Sequence, residues 1–133
     1  MLISEVSEKY GMSQDTLRYY ERVGLIPRVP RKPNGIRDYD ENSCGWIEFI
    51  RCMRSAGLPI EVLVEYVSLY QEGAGTQVAR KQLLLNEREQ LVNRIDEMKA
   101  TLIRLNTKIA HYDNVNATTE SLGKDEETAG GTK

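Results

Sequence analysis

The chain has 133 residues, of which 40% are hydrophobic and 29% are charged, and its formal net charge is −2. This length suits one small domain with an extension, and no run of residues reaches the ~18 apolar side chains that a membrane helix needs. Two cysteines and one histidine are too few for a disulfide scaffold or a zinc site. Because a signal-peptide pattern and a phosphate-binding glycine loop are also missing, we expect a cytoplasmic protein without metal, cofactor or enzymatic activity.

Charge is unevenly distributed along the chain. Residues 16–37 contain six basic side chains and a single acidic one, Glu21. A local basic patch is what phosphate binding requires, whatever the charge of the whole chain. A solvated surface patch is the alternative. Residues 113–133 instead carry five acidic residues and two lysines.

Two short helices are predicted near the N-terminus. Residues 3–10 form the first, which ends at Gly11, where glycine accepts the left-handed backbone that closes a helix. Ser13 caps the second, which ends at Gly24. Two short helices joined by a glycine-containing turn are typical of a helix-turn-helix.

A hairpin is predicted over residues 28–39, with Asn34-Gly35 near its centre. Asn-Gly between short extended segments is the strongest local hairpin signal. Four basic residues precede Asp38 in this segment, so the sequence predicts a basic β-hairpin, or wing, beside the helix-turn-helix. A charged surface loop is the alternative.

Two amphipathic helices follow the wing. The third helix begins at an Asp40 cap and extends to about Ala56. Its predicted buried face consists of Trp46, Phe49, Ile50 and Met53. The fourth helix begins near Pro59. Its apolar stripe consists of Ile60, Leu63, Val64 and Val67. Apolar residues at helical spacing predict core and not a cofactor site.

A long helix without glycine or proline is predicted over residues 76–112. Its apolar residues alternate at intervals of four and three: Leu91, Ile95, Met98, Leu102, Leu105, Ile109 and Tyr112. This heptad pattern predicts a coiled-coil dimerisation helix, and packing back onto its own domain is the alternative. The predicted divisions are therefore a winged helix-turn-helix domain over residues 1–73, a dimerisation helix over 75–112 and a disordered tail over 113–133.

Three motifs, in this order, carry a resemblance to a known family: TLRYYE at 16–21 with GLI at 24–26, GIRDY at 35–39, and FIRCMRSAGL at 49–58. Together they resemble the MerR family of bacterial transcription regulators over about residues 1–112. The resemblance implies a mainly α-helical fold and a homodimer joined by an antiparallel coiled coil. It also implies a location in the cytoplasm, at the nucleoid, where double-stranded promoter DNA is bound.

The resemblance further implies a mode of activation. Members of the family bind promoters whose two recognition elements are too far apart. They bend and untwist the DNA so that RNA polymerase engages both elements. Activation of transcription then depends on the deformation of base pairs with which the protein makes few direct contacts.

Positions that match the family's motifs predict the residues that contact DNA. In the recognition helix, residues 13–23, an arginine supplies a forked donor for phosphate oxygens and the tyrosines supply hydroxyl groups. The wing and the turn after the third helix supply further basic positions. The predicted DNA-binding residues are Gln14, Thr16, Arg18, Tyr19, Tyr20, Arg31, Lys32, Arg37, Tyr39 and Arg54. The alternative for Tyr20 is that its ring packs mainly in the hydrophobic core instead of contacting DNA.

The sequence lacks the features by which several groups of family members detect their inducing signal. Metal-sensing and iron–sulfur members carry cysteines near the end of the dimerisation helix, whereas no cysteine follows Cys52 here. Multidrug-sensing members have a large C-terminal domain, in place of which this chain has a short tail. The sequence resembles the NmlR/AdhR-like subgroup, short members linked to aldehyde and thiol stress. That resemblance implies that Cys52 senses reactive aldehydes such as formaldehyde or methylglyoxal.

Arg51 and Arg54 flank Cys52 and are expected to favour its thiolate form. The alternative is that Cys52 is a small buried core residue, and the protein an effector-independent or purely repressing regulator. Cys44 lies eight residues earlier, at about 12 Å of helical rise. That separation disfavours a disulfide between them, and Cys44 is interpreted as structural.

Two other functional classes compete with a DNA-binding regulator. A thiol enzyme would need a base near Cys52, yet His111 is the only histidine and lies far along the last helix. A coiled-coil interaction module without DNA binding would show no preference for an operator sequence.

Overall fold

The computed structural model describes the backbone of residues 1–118 and the side chains of residues 1–115. Its helices are α1 (Ile3–Tyr10), α2 (Gln14–Val23), α3 (Glu41–Ser55), α4 (Ile60–Glu72) and α5 (Gln77–Thr118). Residues 1–118 contain no β-strand, and their isolated β-bridge pairs Arg31 with Arg37. The prediction of a mainly α-helical fold is therefore confirmed. The chain divides into two compact units, one ending at Leu91 and the other beginning at Val92.

Helices α1 and α2 form the predicted helix-turn-helix. Ser13 caps α2, because its Oγ accepts the Thr16 N–H at 3.0 Å and satisfies a donor of the first turn. The helix ends at Gly24, whose φ of 86° is left-handed and therefore favours glycine. Leu17 and Tyr20 are the buried residues of α2, so the helix packs one face into the core.

The wing, residues 28–39, is a turn with one β-bridge and not the predicted β-hairpin. The Lys32 N–H donates to the Ile36 carbonyl at 2.8 Å, and the Asp38 N–H donates to the Pro30 carbonyl at 2.7 Å. The prolines of the segment have no N–H and cannot continue a ladder of such bonds. The chain therefore reverses where Asn-Gly predicts, but without strands.

The core of the first unit joins α1 to α4 and the segments beside the wing. Its most deeply buried side chains are Val6, Leu17, Leu25, Ile26, Tyr39, Ile47, Ile50, Leu63 and Val67. The predicted stripe of α4 is confirmed: Leu63 and Val67 are buried, while Ile60 and Val64 are partly buried against the core.

The buried face of α3 differs from the prediction. Its buried residues are Ser43, Cys44, Ile47 and Ile50. Trp46 and Phe49 are only partly buried. They stand in a second apolar row, in which the Trp46 ring packs at 4.9 Å from the Tyr70 ring and the Phe49 ring at 5.8 Å from the Tyr66 ring, measured between centroids. Of the four predicted residues, Ile50 is confirmed as buried, whereas Trp46, Phe49 and Met53 are partly buried against the core. Because α3 carries apolar residues on two sides, helical spacing alone does not identify the more deeply buried side.

Helix α5 begins one residue after the predicted start and extends past the predicted end. It continues through Tyr112 to Thr118, so the predicted tail boundary at residue 113 is wrong. Residues 113–118 contain neither glycine nor proline, the two residue types that interrupt a helix most strongly. Residues 119–133 of the predicted tail lie outside the described residues. Within residues 1–118, no helix is long and apolar enough to cross a membrane.

Candidate nucleic-acid interface

A basic cleft of about 410 Å³ lies in the first unit, where the start of α1, the start of α2 and the wing meet. Its lining residues are Leu2, Ile3, Ser4, Gln14, Arg18, Arg31, Ile36 and Arg37. The fold thus brings three arginines from two predicted DNA-contacting segments to one cavity. Guanidinium groups donate in a planar fork that matches phosphate oxygens, so the cleft has the chemistry of a phosphate site.

Arg18 is held in place by the first turn of its own helix. Its Nη1 donates to Asp15 Oδ1 at 2.9 Å and its Nη2 donates to Gln14 Oε1 at 3.3 Å. The Asp15 side chain is 95% exposed, and such a pair adds little stability because water screens it. Both partners therefore orient the guanidinium at the cleft, and Gln14 is engaged with Arg18.

The remaining predicted residues at the start and middle of α2 have distinct environments. Thr16 belongs to the helix cap, since its Oγ1 accepts the Ser13 hydroxyl at 2.8 Å. Tyr19 is partly buried, and the Arg22 guanidinium lies over its ring at 5.5 Å. Arg22 was not among the predicted DNA-binding residues, although its basic charge within the recognition helix is a signal that could have identified it.

Tyr20 and Tyr39 belong to the core. Tyr20 is 8% exposed and Tyr39 is 1% exposed, and burial raises the pKa of both hydroxyls. Among the described residues the Tyr39 hydroxyl has no hydrogen-bond partner. The Tyr39 ring therefore packs in the core in this conformation, and its contact with DNA stays a prediction. For Tyr20, the core alternative describes the structure.

Three of the four basic residues of the wing were predicted to bind DNA, and two of these three have intramolecular partners. Arg31 Nη1 donates to the Gly35 carbonyl at 2.9 Å, across the turn. Arg37 Nε donates to Glu21 Oε1 at 2.7 Å, which ties the wing to α2. Lys32 is exposed. Sequence reasoning did not identify Glu21 as a site residue, although it is the single acidic residue in the basic segment.

The remaining predicted contact, Arg54, lies at the end of α3. Its Nη1 donates to the Leu58 carbonyl at 2.7 Å, so the side chain closes the turn between α3 and α4. It is exposed but does not line the basic cleft. If Arg54 contacts DNA, it does so at a second point on the surface.

Two family models match the chain. One, described as MerR HTH family regulatory protein, matches residues 1–69. The other, described as MerR, DNA binding, matches residues 45–108. The chain belongs to the MerR family.

Individual relatives agree with this assignment. The chain is 58% identical over 92 residues to the HTH-type transcriptional regulator AdhR of Bacillus subtilis. That match spans 69% of this chain and 66% of the regulator, just under two thirds of its length. The members are transcription regulators, so this MerR-family chain is a DNA-binding regulator and not an enzyme.

Solved MerR-family structures have the same fold. A MerR family transcriptional regulator from Listeria monocytogenes superposes with a TM-score of 0.83 at 46% identity, covering 96% of this chain and 93% of the other. HiNmlR, described as a MerR family regulator lacking the sensor domain and bound to promoter DNA, superposes with a TM-score of 0.79 at 27% identity. That match covers 88% of this chain and 93% of HiNmlR.

The two cysteines of this MerR-family chain differ in their exposure, and Cys52 is not the buried core residue of the alternative interpretation. Cys52 is exposed, whereas Cys44 is buried. The Arg51 guanidinium donates to the Tyr10 carbonyl and that of Arg54 to the Leu58 carbonyl. Among the described residues no ion pair or hydrogen bond reaches the Cys52 thiol. A reagent in solution therefore has access to Cys52, but the flanking arginines are directed at backbone carbonyls.

Helix α5 carries the predicted heptad residues, most of them on its exposed surface. Leu91 is half-buried, and the six that follow are exposed in the single chain: Ile95, Met98, Leu102, Leu105, Ile109 and Tyr112. Exposed side-chain fractions reach 71% at Met98. A row of large apolar side chains open to water is the surface that a second helix covers in a coiled coil.

Proposed function

We propose that this chain is a homodimeric activator that binds an over-spaced promoter and deforms it so that RNA polymerase engages both promoter elements. The basic cleft between α2 and the wing is the observation that carries this proposal. Three guanidinium groups at one cavity form a site for the phosphates of one half-site. Such a protein is associated with the nucleoid because the promoter that it binds is part of the nucleoid.

Dimerisation supplies the second half-site. Two-fold symmetric regulators bind two half-sites in a fixed spacing, which a single helix-turn-helix cannot read. The exposed heptad residues of α5, from Ile95 to Tyr112, support pairing with a second copy of the chain. In this proposal the coiled coil sets the separation between the two DNA-binding domains, and therefore the strain imposed on the DNA.

Cys52 is the proposed sensor of reactive aldehydes. Its exposure and the similarity to AdhR support this role. In the chemical step, the sulfur of Cys52 bonds to the aldehyde carbon, the carbonyl π bond breaks, and the thiol proton is transferred to the carbonyl oxygen. The product is a hemithioacetal at the last turns of α3, close in sequence to the Arg54 turn. No oxidant or second cysteine is required.

An effector-independent regulator is the second candidate function. The hydrogen bonds of Arg51 and Arg54 to backbone carbonyls favour it, because these cations are engaged away from the thiol that they would activate. In that case Cys52 has no regulatory role, and transcription follows the amount of regulator alone.

In vitro transcription from the promoter that precedes the gene for this protein separates these candidates. Wild type, Cys52→Ala and Cys44→Ala are compared with and without formaldehyde. We expect transcription to rise with formaldehyde in wild type and in Cys44→Ala, and to stay at the basal level in Cys52→Ala. Equal transcription in every reaction, with DNA binding intact, would reject aldehyde sensing and favour the effector-independent regulator.

A further inference from the structure

Glu21 is the single acidic side chain of residues 16–37, and both of its carboxylate oxygens have partners. Oε1 accepts the Arg37 Nε–H at 2.7 Å, and Oε2 accepts the Val29 backbone N–H at 2.9 Å. The Glu21 side chain is 9% exposed. An acid that only lowered the local charge would stand in solvent, whereas this one is largely buried and each of its oxygens accepts a hydrogen bond.

The two partners of Glu21 lie at opposite ends of the wing. Val29 is near its beginning and Arg37 near its end, and between them the chain reverses at Gly35, whose φ is 89°. One carboxylate on α2 therefore holds both arms of the turn. The end of the wing is also held to the N-terminus, where Tyr39 and Met1 exchange backbone hydrogen bonds at 2.8 and 2.7 Å. The bonds of Glu21 instead join the wing to α2.

The contact also leaves Arg37 able to bind DNA. Among the described residues its recorded hydrogen bond uses Nε, so the two terminal nitrogens of the guanidinium remain as phosphate donors. Arg37 lines the basic cleft together with Arg18 and Arg31. Fixing one edge of a guanidinium reduces the entropy lost when the other edge binds a phosphate.

We propose that Glu21 is a positioning residue for DNA binding, which holds the wing against α2 and orients the Arg37 guanidinium toward the phosphate site. The acid thereby strengthens the attachment of a basic surface to DNA. This inference rests on the proposed function, in which the wing and α2 contact the same duplex.

The ionisation of Glu21 is consistent with this role. Burial acts to raise the pKa of its carboxyl group, but the hydrogen bonds from Arg37 and Val29 and the charges of Arg37 and Arg31 outweigh it and hold the pKa below the ordinary value. The carboxylate is therefore charged at neutral pH and keeps the strong, charge-assisted bond to Arg37.

The test compares two substitutions that each remove one negative charge from the first unit. Glu21→Gln removes the tether, and Glu65→Gln removes an exposed carboxylate of α4 that does not line the basic cleft. Binding is measured by fluorescence anisotropy with a labelled duplex from the promoter that precedes the gene, at one fixed salt concentration. We expect Glu21→Gln to bind about tenfold more weakly, and Glu65→Gln to bind equally or up to about twofold more tightly. Equal or tighter binding by Glu21→Gln would overturn the proposal.

A double-substitution cycle shows whether Glu21 acts through Arg37. In an Arg37→Ala background, adding Glu21→Gln is expected to change affinity by less than about twofold, because the guanidinium to be oriented is gone. An undiminished loss in that background would assign the effect of Glu21 to general folding instead, and would also contradict the proposal.

Hydrogen exchange, measured by mass spectrometry on the free protein, tests the tether without DNA. Peptides that cover the wing are expected to exchange faster in Glu21→Gln, whereas peptides from α3 are expected to keep their protection. Should Glu21→Gln fail to fold, Arg37→Gln takes its place in this measurement, and unchanged wing exchange there would reject the tether. If wild type binds the promoter duplex no better than a scrambled duplex, the proposed function fails, while the exchange result still decides the role of Glu21.

Discussion

At the scale of single residues, the basic cleft depends on how each arginine is held. Arg18 is oriented by Asp15 and Gln14, which belong to the same helix turn. The tether from Glu21 to Arg37 instead joins two separate segments of the chain. The first arrangement lies within the first turns of one helix, whereas the second joins α2 to the wing.

Arg18→Ala is expected to weaken binding to the promoter duplex about tenfold and to lower the slope of log affinity against log salt by about one. The reason is the loss of one phosphate contact and of its released counterion. Titrations at several salt concentrations measure both quantities. Lys81→Ala, which removes the same charge from the exposed surface of α5, serves as the control and should leave both unchanged.

Glu21 also predicts a pH dependence of stability. Its pKa is lower in the folded protein than in the unfolded chain, so its contribution is present above the unfolded value, about 4.3. That contribution is lost as the pH falls from this value through the lower folded pKa. We expect the difference in unfolding free energy between wild type and Glu21→Gln to shrink over this acidic range. Urea unfolding between neutral pH and pH ~3 measures it, and a constant difference would contradict the lowered pKa.

At the scale of elements, α3 is fixed by its first turn. Asp40 Oδ1 accepts both the Ser43 N–H and the Ser43 hydroxyl, each at 2.8 Å. Ser43 is itself 5% exposed, so its hydroxyl depends on this partner. The same cap begins the helix that carries both cysteines and the partly buried rings of Trp46 and Phe49.

Asp40→Ala is expected to lower the free energy of unfolding by about 1–2 kcal/mol, since it removes a helix cap and leaves a buried hydroxyl unpaired. Asp40→Asn is the matched control, because its side-chain oxygen still accepts, and it should cost less than about 0.5 kcal/mol. Urea denaturation with an unchanged m-value makes the comparison. Equal losses in the two variants would show that charge, and not capping, is what matters.

How well the sequence predicts an element depends on whether the signal is local. The caps at Ser13 and Asp40 and the stop at Gly24 were correct because they depend on neighbouring residues. The wing failed as a β-hairpin because ladder bonds need N–H groups that its prolines lack. The buried face of α3 and the burial of Tyr39 depend on which helices pack together, and spacing along the chain does not contain that information.

In the candidate site, too, the sequence predicts what local motifs determine and does not predict what contacts between distant residues determine. Motif positions identified the arginines that meet at the cleft, Arg18, Arg31 and Arg37. They could not identify Glu21, because its importance comes from two partners that are distant in sequence, eight and sixteen residues away. The role of Cys52 stays a prediction, although its exposure removes the alternative of a buried core thiol.

At the scale of the whole molecule, the row of exposed apolar residues on α5 is expected to control the oligomeric state. Leu102→Glu places a charge in the middle of this row and should convert a dimer into a monomer, because a coiled-coil seam excludes an unpaired charge. Ala100→Glu adds the same charge outside the row and serves as the control. Light scattering coupled to size-exclusion chromatography measures the mass. A dimeric Leu102→Glu protein would show that another surface joins the subunits.

The exposed row on α5 has a consequence for how the regulator responds to its own abundance. If only paired chains span both half-sites, the number of competent molecules at low concentration rises as the square of the number of chains, since two must meet to make one. Doubling the expression of the gene then nearly quadruples promoter occupancy in that range. A surface left open to water in the single chain thus turns a gradual change in synthesis into a steep change in transcription.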